Sequence, residues 1–394
     1  MTEDLDVKKI DRRNTFMNWE EIRAQFPVTE KYVYLDIANK NALPIPVTNV
    51  MNDYILKQQT MGGDKEEWKN TIEETRKSIA KLINAEPEEI ALTKNTSEGL
   101  NIAANSIPFN PGDNVILNDN EHPNNIYCWL NLDKKGVEVR WAPTKNGIVK
   151  VEDIEALVDE KTKAVAVSYV TYMPGNRNDI KAIAKLCNEK GILLVVDVVQ
   201  AMGILNVDVK NLGIDMLATS GHKGLLAPHG IGFFFCRKGI MDRIPPVYVA
   251  RSGMVAPVAI EHDSLTYSLC LAENATKYEI GNQNYLGITA LNAGISFINS
   301  IGIKNIESKV LEIGGYLTKE LQSLGIEVLS PIEETQRAGI VCLKNNHTKE
   351  LFEKLAVNNV IVTIRRDSIR VSLSFYNNKS DIDRLLNLVE DFKD

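Results

Sequence analysis

Between about Asn114 and Arg237 the chain alternates short β-branched runs with helix-period segments, and that alternation restricts its fold more than any other feature. The runs NVIL, VEVRWA, AVAVSYV, ILLVVD, DMLAT and GIGFFFC are each bounded by polar residues or glycine. Such runs are buried strands of a largely parallel sheet covered by helices. In the intervening segment NDIKAIAKLCNEKG, the apolar residues Ile180, Ile183, Ala184 and Cys187 fall at i, i+3, i+4 and i+7. Asn178 or Asp179 can cap its start and Gly191 its end. After about Leu286 the texture changes to long amphipathic helices, two short strands near Gly339 and Ser368, and a closing helix striped by Ile382, Leu385, Leu386 and Val389. The expectation is an α/β chain with a large domain over 46–281, a smaller α+β domain over 282–394, and an N-terminal segment, 1–45, packed with the small domain.

Length and charge exclude several classes. The 394 residues suffice for a large domain with a satellite, and 44% hydrophobic with 25% charged residues is ordinary globular composition. Forty-five Lys and Arg against 52 Asp and Glu give a net charge of −7. Broad binding to nucleic acid or anionic membrane is therefore not expected, because phosphate neutralisation needs concentrated basic residues. The five cysteines have no CxxC spacing, so no thiolate metal site is expected and reduced thiols in the cytoplasm are the simplest reading. The charged opening MTEDLDVKKIDRRNTF has no apolar core, and no run reaches ~18 apolar residues. A dinucleotide-binding sheet is the competing idea, but no G-x-G-x-x-G joins a strand to a helix.

The chemistry-bearing residues sit at strand ends. ILLVVDVVQ reads as a central strand ending at Asp197, where open α/β sheets bind ligands. Alone, Asp197 would more often cap a loop. Lys223, in Ser220-Gly221-His222-Lys223-Gly224, follows the next strand and would project into the same crevice. A desolvated lysine has a lowered pKa and forms Schiff bases, whereas an isolated lysine is usually a surface residue. Together they are the pair that pyridoxal 5′-phosphate (PLP) requires: a carboxylate for the pyridine nitrogen and an amine for the aldehyde. Thr96 and Ser97 precede a helical pattern and could present hydroxyls and free N–H groups to the phosphate, or form an ordinary N-cap. His122 follows the NVIL strand and could stack on the ring, whereas His347 reads as a solvated loop residue.

These residues resemble the class V aminotransferase family of fold-type I PLP enzymes, which includes cysteine desulfurases, selenocysteine lyase, isopenicillin N epimerase-like proteins and kynureninase. The resemblance runs from Tyr34-Leu35-Asp36-Ile37-Ala38 through Asn95-Thr96-Ser97-Glu98-Gly99 and Glu121-His122. It continues through Asp197-Val198-Val199-Gln200-Ala201-Met202-Gly203, Ser220-Gly221-His222-Lys223 and Gly281-Asn282-Gln283-Asn284 to Ser368-Ile369-Arg370-Val371-Ser372. It implies a seven-stranded, mostly parallel sheet in the large domain. It further implies Lys223 as the Schiff-base lysine, Asp197 on the pyridine nitrogen, Gln200 on the phenolic oxygen and His122 on the ring. Thr96, Ser97, Ser220 and His222 would line the phosphate end, and Asn282 would reach the partner's phosphate in a homodimer with shared active sites. Arg370 would receive the substrate α-carboxylate by its bidentate fork, with Asn39 and Arg177 as further substrate contacts.

Two departures bear on the reaction. Cysteine desulfurases carry a persulfide-accepting cysteine shortly before the arginine that matches Arg370. Here that approach is Thr363-Ile364-Arg365-Arg366-Asp367-Ser368-Ile369, and no cysteine follows Cys342. The second is Tyr169 to Asp179, which looks more like the epimerase-like branch. Arg177, Arg365 and Arg366 could meet a second acidic group on the substrate or be solvated surface charges. The resemblance implies an external aldimine with an amino acid and Cα deprotonation by Lys223. A β-eliminating C–S lyase without the persulfide cysteine ranks ahead of an aminotransferase, with an epimerase third.

Overall fold

The computed structural model describes residues 17–255 and 269–392. All six runs named above are strands. They assemble, with Ile90–Thr93, into one seven-stranded sheet in the order Ile90–Thr93, Gly232–Cys236, Met216–Ser220, Leu193–Asp197, Thr162–Ser168, Asn114–Asn118, Glu138–Ala142. Only Gly232–Cys236 runs antiparallel to its neighbours. The other six strands all point their carboxyl ends to one side, so the segments that follow them converge there. Ile90–Thr93 is the strand that the sequence pattern did not single out. Four residues, IALT, directly before a helix carry too little periodicity to stand out.

Both faces of the sheet are covered, which is why its central runs are continuously apolar rather than alternating. The helix Ile180–Lys190 begins on the Asp179 side chain, which accepts from the N–H of Ala182, and ends at Gly191 with φ 69°. The helix Thr96–Ser106 lies close on the sheet: a Cβ at Gly99 would sit 2.7 Å from the Ala218 Cβ.

The C-terminal part forms a second, four-stranded sheet in the order Glu327–Val328, Ile340–Lys344, Ser368–Ser372, Thr363–Arg365. The N-terminal segment joins it. Val33–Tyr34 pairs in parallel with Val360–Ile361, Asp36 bridges to Ser372, and Arg23 forms a two-pronged ion pair with Asp381 at 2.7 and 2.9 Å. Phe26 packs into a cluster with Phe297, Phe375 and Tyr376. The helix Tyr285–Ile301 was assigned by the sequence to the C-terminal third. It packs on Ile45–Met61 and Lys65–Ile83, helices that offer its long apolar stripe a face of matching length. Among the described residues, no single helix is long and apolar enough to cross a membrane.

The loops carrying Asp197 and Lys223 meet through glycine. A Cβ on Gly203 would stand 2.2 Å from the carbonyl oxygen of Gly224, and one on Gly224 would stand 2.2 Å from that of Met202. Gly203 also has φ +79°. Gly203→Ala should therefore destabilise the fold by ~2–4 kcal/mol, combining left-handed strain with backbone displacement. Gly191→Ala, with φ +69° and open space around it, should lose only ~1–2 kcal/mol. Chemical denaturation of the two variants measures the difference; equal losses would show that the two loops are not wedged together.

Candidate active site

At the carboxyl ends of the parallel strands lies a cavity of about 300 Å³, and Thr96, Ser97, His122, Asp197, Gln200, Ser220, His222, Lys223, Arg370 and Asn39 all line it. Residues up to 331 positions apart in sequence, Asn39 and Arg370, meet because the strand ends of the large sheet, the strand Ser368–Ser372 and the N-terminal segment held by the small sheet all reach this cavity.

Asp197 ends its strand paired with Ser168 on one side and Ala218 on the other. Its Oδ1 accepts from the backbone N–H of Val199 at 2.9 Å. Burial is the main cause that raises its pKa above the ordinary carboxylate value; the nearby Glu121 adds to the rise, and Lys223 opposes it. Lys223 is displaced the other way. Burial dominates and pushes it down to about 8, with Arg370 and Arg365 adding and Asp197 resisting. Each charge is unfavourable in this desolvated space without the other.

A second carboxylate, Glu121, is sealed beneath the cavity. It accepts from the Ser168 N–H at 2.7 Å, the Ser168 hydroxyl at 2.5 Å, and the amides of Asn118 and Asn125 at 2.5 and 3.0 Å. The Glu121-His122 dipeptide was conspicuous in the sequence, but the four donors that define Glu121's surroundings come from three separate segments. His122 itself accepts from the N–H of Asn124 at 3.2 Å and meets the Tyr172 ring edge-on, with centroids 5.1 Å apart. Burial and then the cations Lys223, Arg365 and Arg370 lower its pKa to about 4, so at neutral pH the ring is uncharged.

At one end of the cavity, the N-terminus of Thr96–Ser106 meets the strand end at Ser220. The Ser220 hydroxyl accepts from the Thr96 N–H at 2.7 Å and lies 2.8 Å from the Thr96 hydroxyl. His222 closes this end and stacks on His229, with centroids 4.2 Å apart. Hydroxyls at the start of an 11-residue helix form a setting for an anion.

Arg370 also lines the cavity and is 1% exposed. Its Nη1 donates to the carbonyl of Tyr172 at 3.1 Å, and its Nη2 stands 3.9 Å from Asp36. Its Nε and Nη2 are buried with no hydrogen-bond partner. Orphaned guanidinium N–H groups in a buried wall are what a carboxylate ligand would satisfy. Asn39 donates to Asp36 at 3.1 Å, and Gln200 donates to the Ala38 carbonyl at 3.1 Å.

Two sequence-predicted residues are elsewhere. Arg177 does not line the cavity: its Nε donates to the Tyr169 hydroxyl at 3.1 Å and its Nη1 pairs with Glu307 at 3.0 Å. Its partner is 130 residues further on, so no local pattern announced that it is a structural tie. Asn282 is exposed and also lies outside the cavity of this single chain. Tyr172 and Arg365 do line it.

The donor set fits PLP. An anion cradle, a buried carboxylate that suits a protonated ring nitrogen, and an amine of lowered pKa line one cavity, which Arg370 also lines with buried N–H groups that have no hydrogen-bond partner.

A family model described as aminotransferase class-V matches residues 33–385. An uncharacterized aminotransferase of Schizosaccharomyces pombe is 32% identical over 381 residues, covering 94% of this chain and 95% of its own. A probable cysteine desulfurase of Methanothermobacter thermautotrophicus is 30% identical, covering 95% and 98%. Among solved structures, the apo cysteine desulfurase of Thermococcus onnurineus NA1 is similar with a TM-score of 0.87 at 27% identity, over 96% of this chain and 99% of that one. The cystine C–S lyase C-DES, at 20% identity and TM-score 0.86 over 94% and 100%, shares the fold. The chain belongs to the class V aminotransferase family and is a PLP-dependent enzyme of fold type I.

Proposed function

We propose that this enzyme removes the Cα proton of an amino acid and expels a β-substituent, as a C–S lyase that needs no persulfide cysteine. The observation that carries the Cα chemistry is the opposed pair Asp197 and Lys223 in one cavity with the unsatisfied N–H groups of Arg370. PLP supplies, when bound, an aldehyde for amines and a ring that withdraws electrons from Cα. Asp197 keeps a proton on the ring nitrogen. Arg370 would hold the α-carboxylate and so present Cα–H to Lys223, whose Nζ would take that proton and could deliver it to the departing β-substituent. Neutral His122 covers the ring without adding charge. Thr96, Ser97, Ser220 and His222 would hold the phosphate, and Gln200 would meet the phenolic oxygen.

Support for elimination comes from similarity to sulfur-handling proteins, a probable cysteine desulfurase among them. A persulfide on the enzyme is disfavoured by the cysteines themselves. Cys342 is buried on the strand beside Arg370, with its thiol pushed up to about 12 by burial, and exposed Cys270 does not line the cavity. The second reading is transamination, favoured by the similar uncharacterized aminotransferase. Incubating the purified enzyme with sulfur amino acids should release sulfide or persulfide, ammonia and keto acid together, and Lys223→Ala should reduce all three by at least ~10³-fold. Keto acid without ammonia, dependent on an added acceptor, would instead establish transamination.

The site is completed, in this reading, by a second copy of the chain. Asn282 is exposed, and large apolar side chains stand exposed nearby in sequence at Tyr248, Val249, Val255, Leu269 and Ile280, a surface suited to burial in a two-fold interface. Sedimentation should give a homodimer, and Asn282→Ala should weaken PLP retention. A monomer with full cofactor occupancy contradicts it.

A further inference from the structure

With Arg370 assigned to an α-carboxylate, Arg365 is a second cavity-lining guanidinium, and no carboxylate among the described residues pairs with it. Thr363–Arg365 and Ser368–Ser372 form an antiparallel hairpin in which Thr363 lies opposite Arg370. Alternation puts residues 363 and 365 on one face of their strand, so Arg365 is the diagonal neighbour of Arg370 on the same face. Both line the cavity. Arg366, one residue on, has φ +50° and does not line it; its side chain is exposed and reaches the Tyr172 hydroxyl at 3.4 Å.

The local carboxylates are already engaged. Asp36 lies behind Arg370 and accepts from Asn39 and Thr363. Glu121 is enclosed by its four donors. Asp197 faces Lys223 and the ring position. Arg365 donates from Nη1 to the carbonyl of Ile364 at 3.0 Å, and no carboxylate among the described residues forms an ion pair with it. An arginine held beside a second arginine and a lysine, with no counter-charge among the described residues, is stabilised by an anion that enters the cavity.

Resting on the amino-acid reading given above, we propose that Arg365 receives a second anionic group on the substrate. The substrate class is then a short-chain α-amino acid with an acidic side chain; one whose β-carbon bears an acidic sulfur group also meets the C–S lyase reading, and carboxylate and phosphonate analogues probe the anion receptor alone. Arg370 takes the α-carboxylate and Arg365 the distal group, so the hairpin presents two anion receptors side by side.

The test is rapid-mixing titration of the holoenzyme, reading cofactor absorbance for the initial binding of aspartate against asparagine, with cysteine sulfinate and 2-amino-3-phosphonopropionate as further acidic probes. Aspartate should bind at least ~30-fold more tightly than asparagine, as expected for a charge paired in a desolvated site. Arg365→Gln should bring that ratio to within ~3-fold of unity, and Arg365→Lys should recover part of it, since a lysine keeps the charge without the fork. Arg366→Gln should leave the ratio unchanged. A wild-type ratio near one, or a ratio that survives Arg365→Gln, overturns the proposal while leaving amino-acid binding intact. No absorbance change with any amino acid, acidic or neutral, overturns the amino-acid reading as well.

Discussion

Asp197 and Lys223 are opposite charges placed in a cavity that disfavours each of them separately, and the surrounding structure serves to hold that juxtaposition. Strand pairing sets one side: Asp197 is fixed between Ser168 and Ala218 at the end of a central strand. Glycine contact sets the other, because Gly203 and Gly224 bring the two motif loops within a distance that no side chain would allow. A wider approach would let water between the charges and return both groups toward ordinary acidity. The spacing D-x-x-Q-A-x-G and then S-G-H-K-G is thus a packing requirement as well as a set of chemical groups.

Around that pair, carboxylates are sorted by their donors. Glu121 has four hydrogen-bond donors and no cation against it, whereas Asp197 has one backbone donor and faces Lys223. One is satisfied by the protein; the other is left to interact with what enters. The cations are sorted in the same way. Arg177 is tied to Glu307, while Arg370 keeps two N–H positions unsatisfied in a buried wall. Unmet hydrogen-bonding capacity on a rigid frame is the clearest physical mark of a binding site.

Much of this was legible in the sequence because it is local. Strand runs, the Asp179 cap, the Gly191 terminus and the apolar stripe of the last helix depend on residues within a few positions of one another. The meeting of Asp197 with Lys223 was legible as well, since both follow parallel strands and must emerge on one side. What could not be read depends on distant partners. Ile90–Thr93 is a strand because Gly232–Cys236 pairs with it. Arg177 is a tie because Glu307 reaches it, and Tyr285–Ile301 packs where two helices near the N-terminus offer it a face. The role proposed for Asn282 rests on a second chain that no pattern within one sequence displays.

The central claim is that Asp197 and Lys223 are electrostatically coupled in a desolvated site, and the lysine's own titration tests it most directly. Competitive acylation of amines in the cofactor-free protein, read at the Lys223 peptide by mass spectrometry across pH, reports that titration. Burial lowers the lysine pKa and Asp197 opposes the shift. The midpoint should therefore lie near about 8 in the wild type and move lower in Asp197→Asn, where the stabilising negative charge is gone. A midpoint at the ordinary lysine value, or one that stays or rises in Asp197→Asn, would contradict the account.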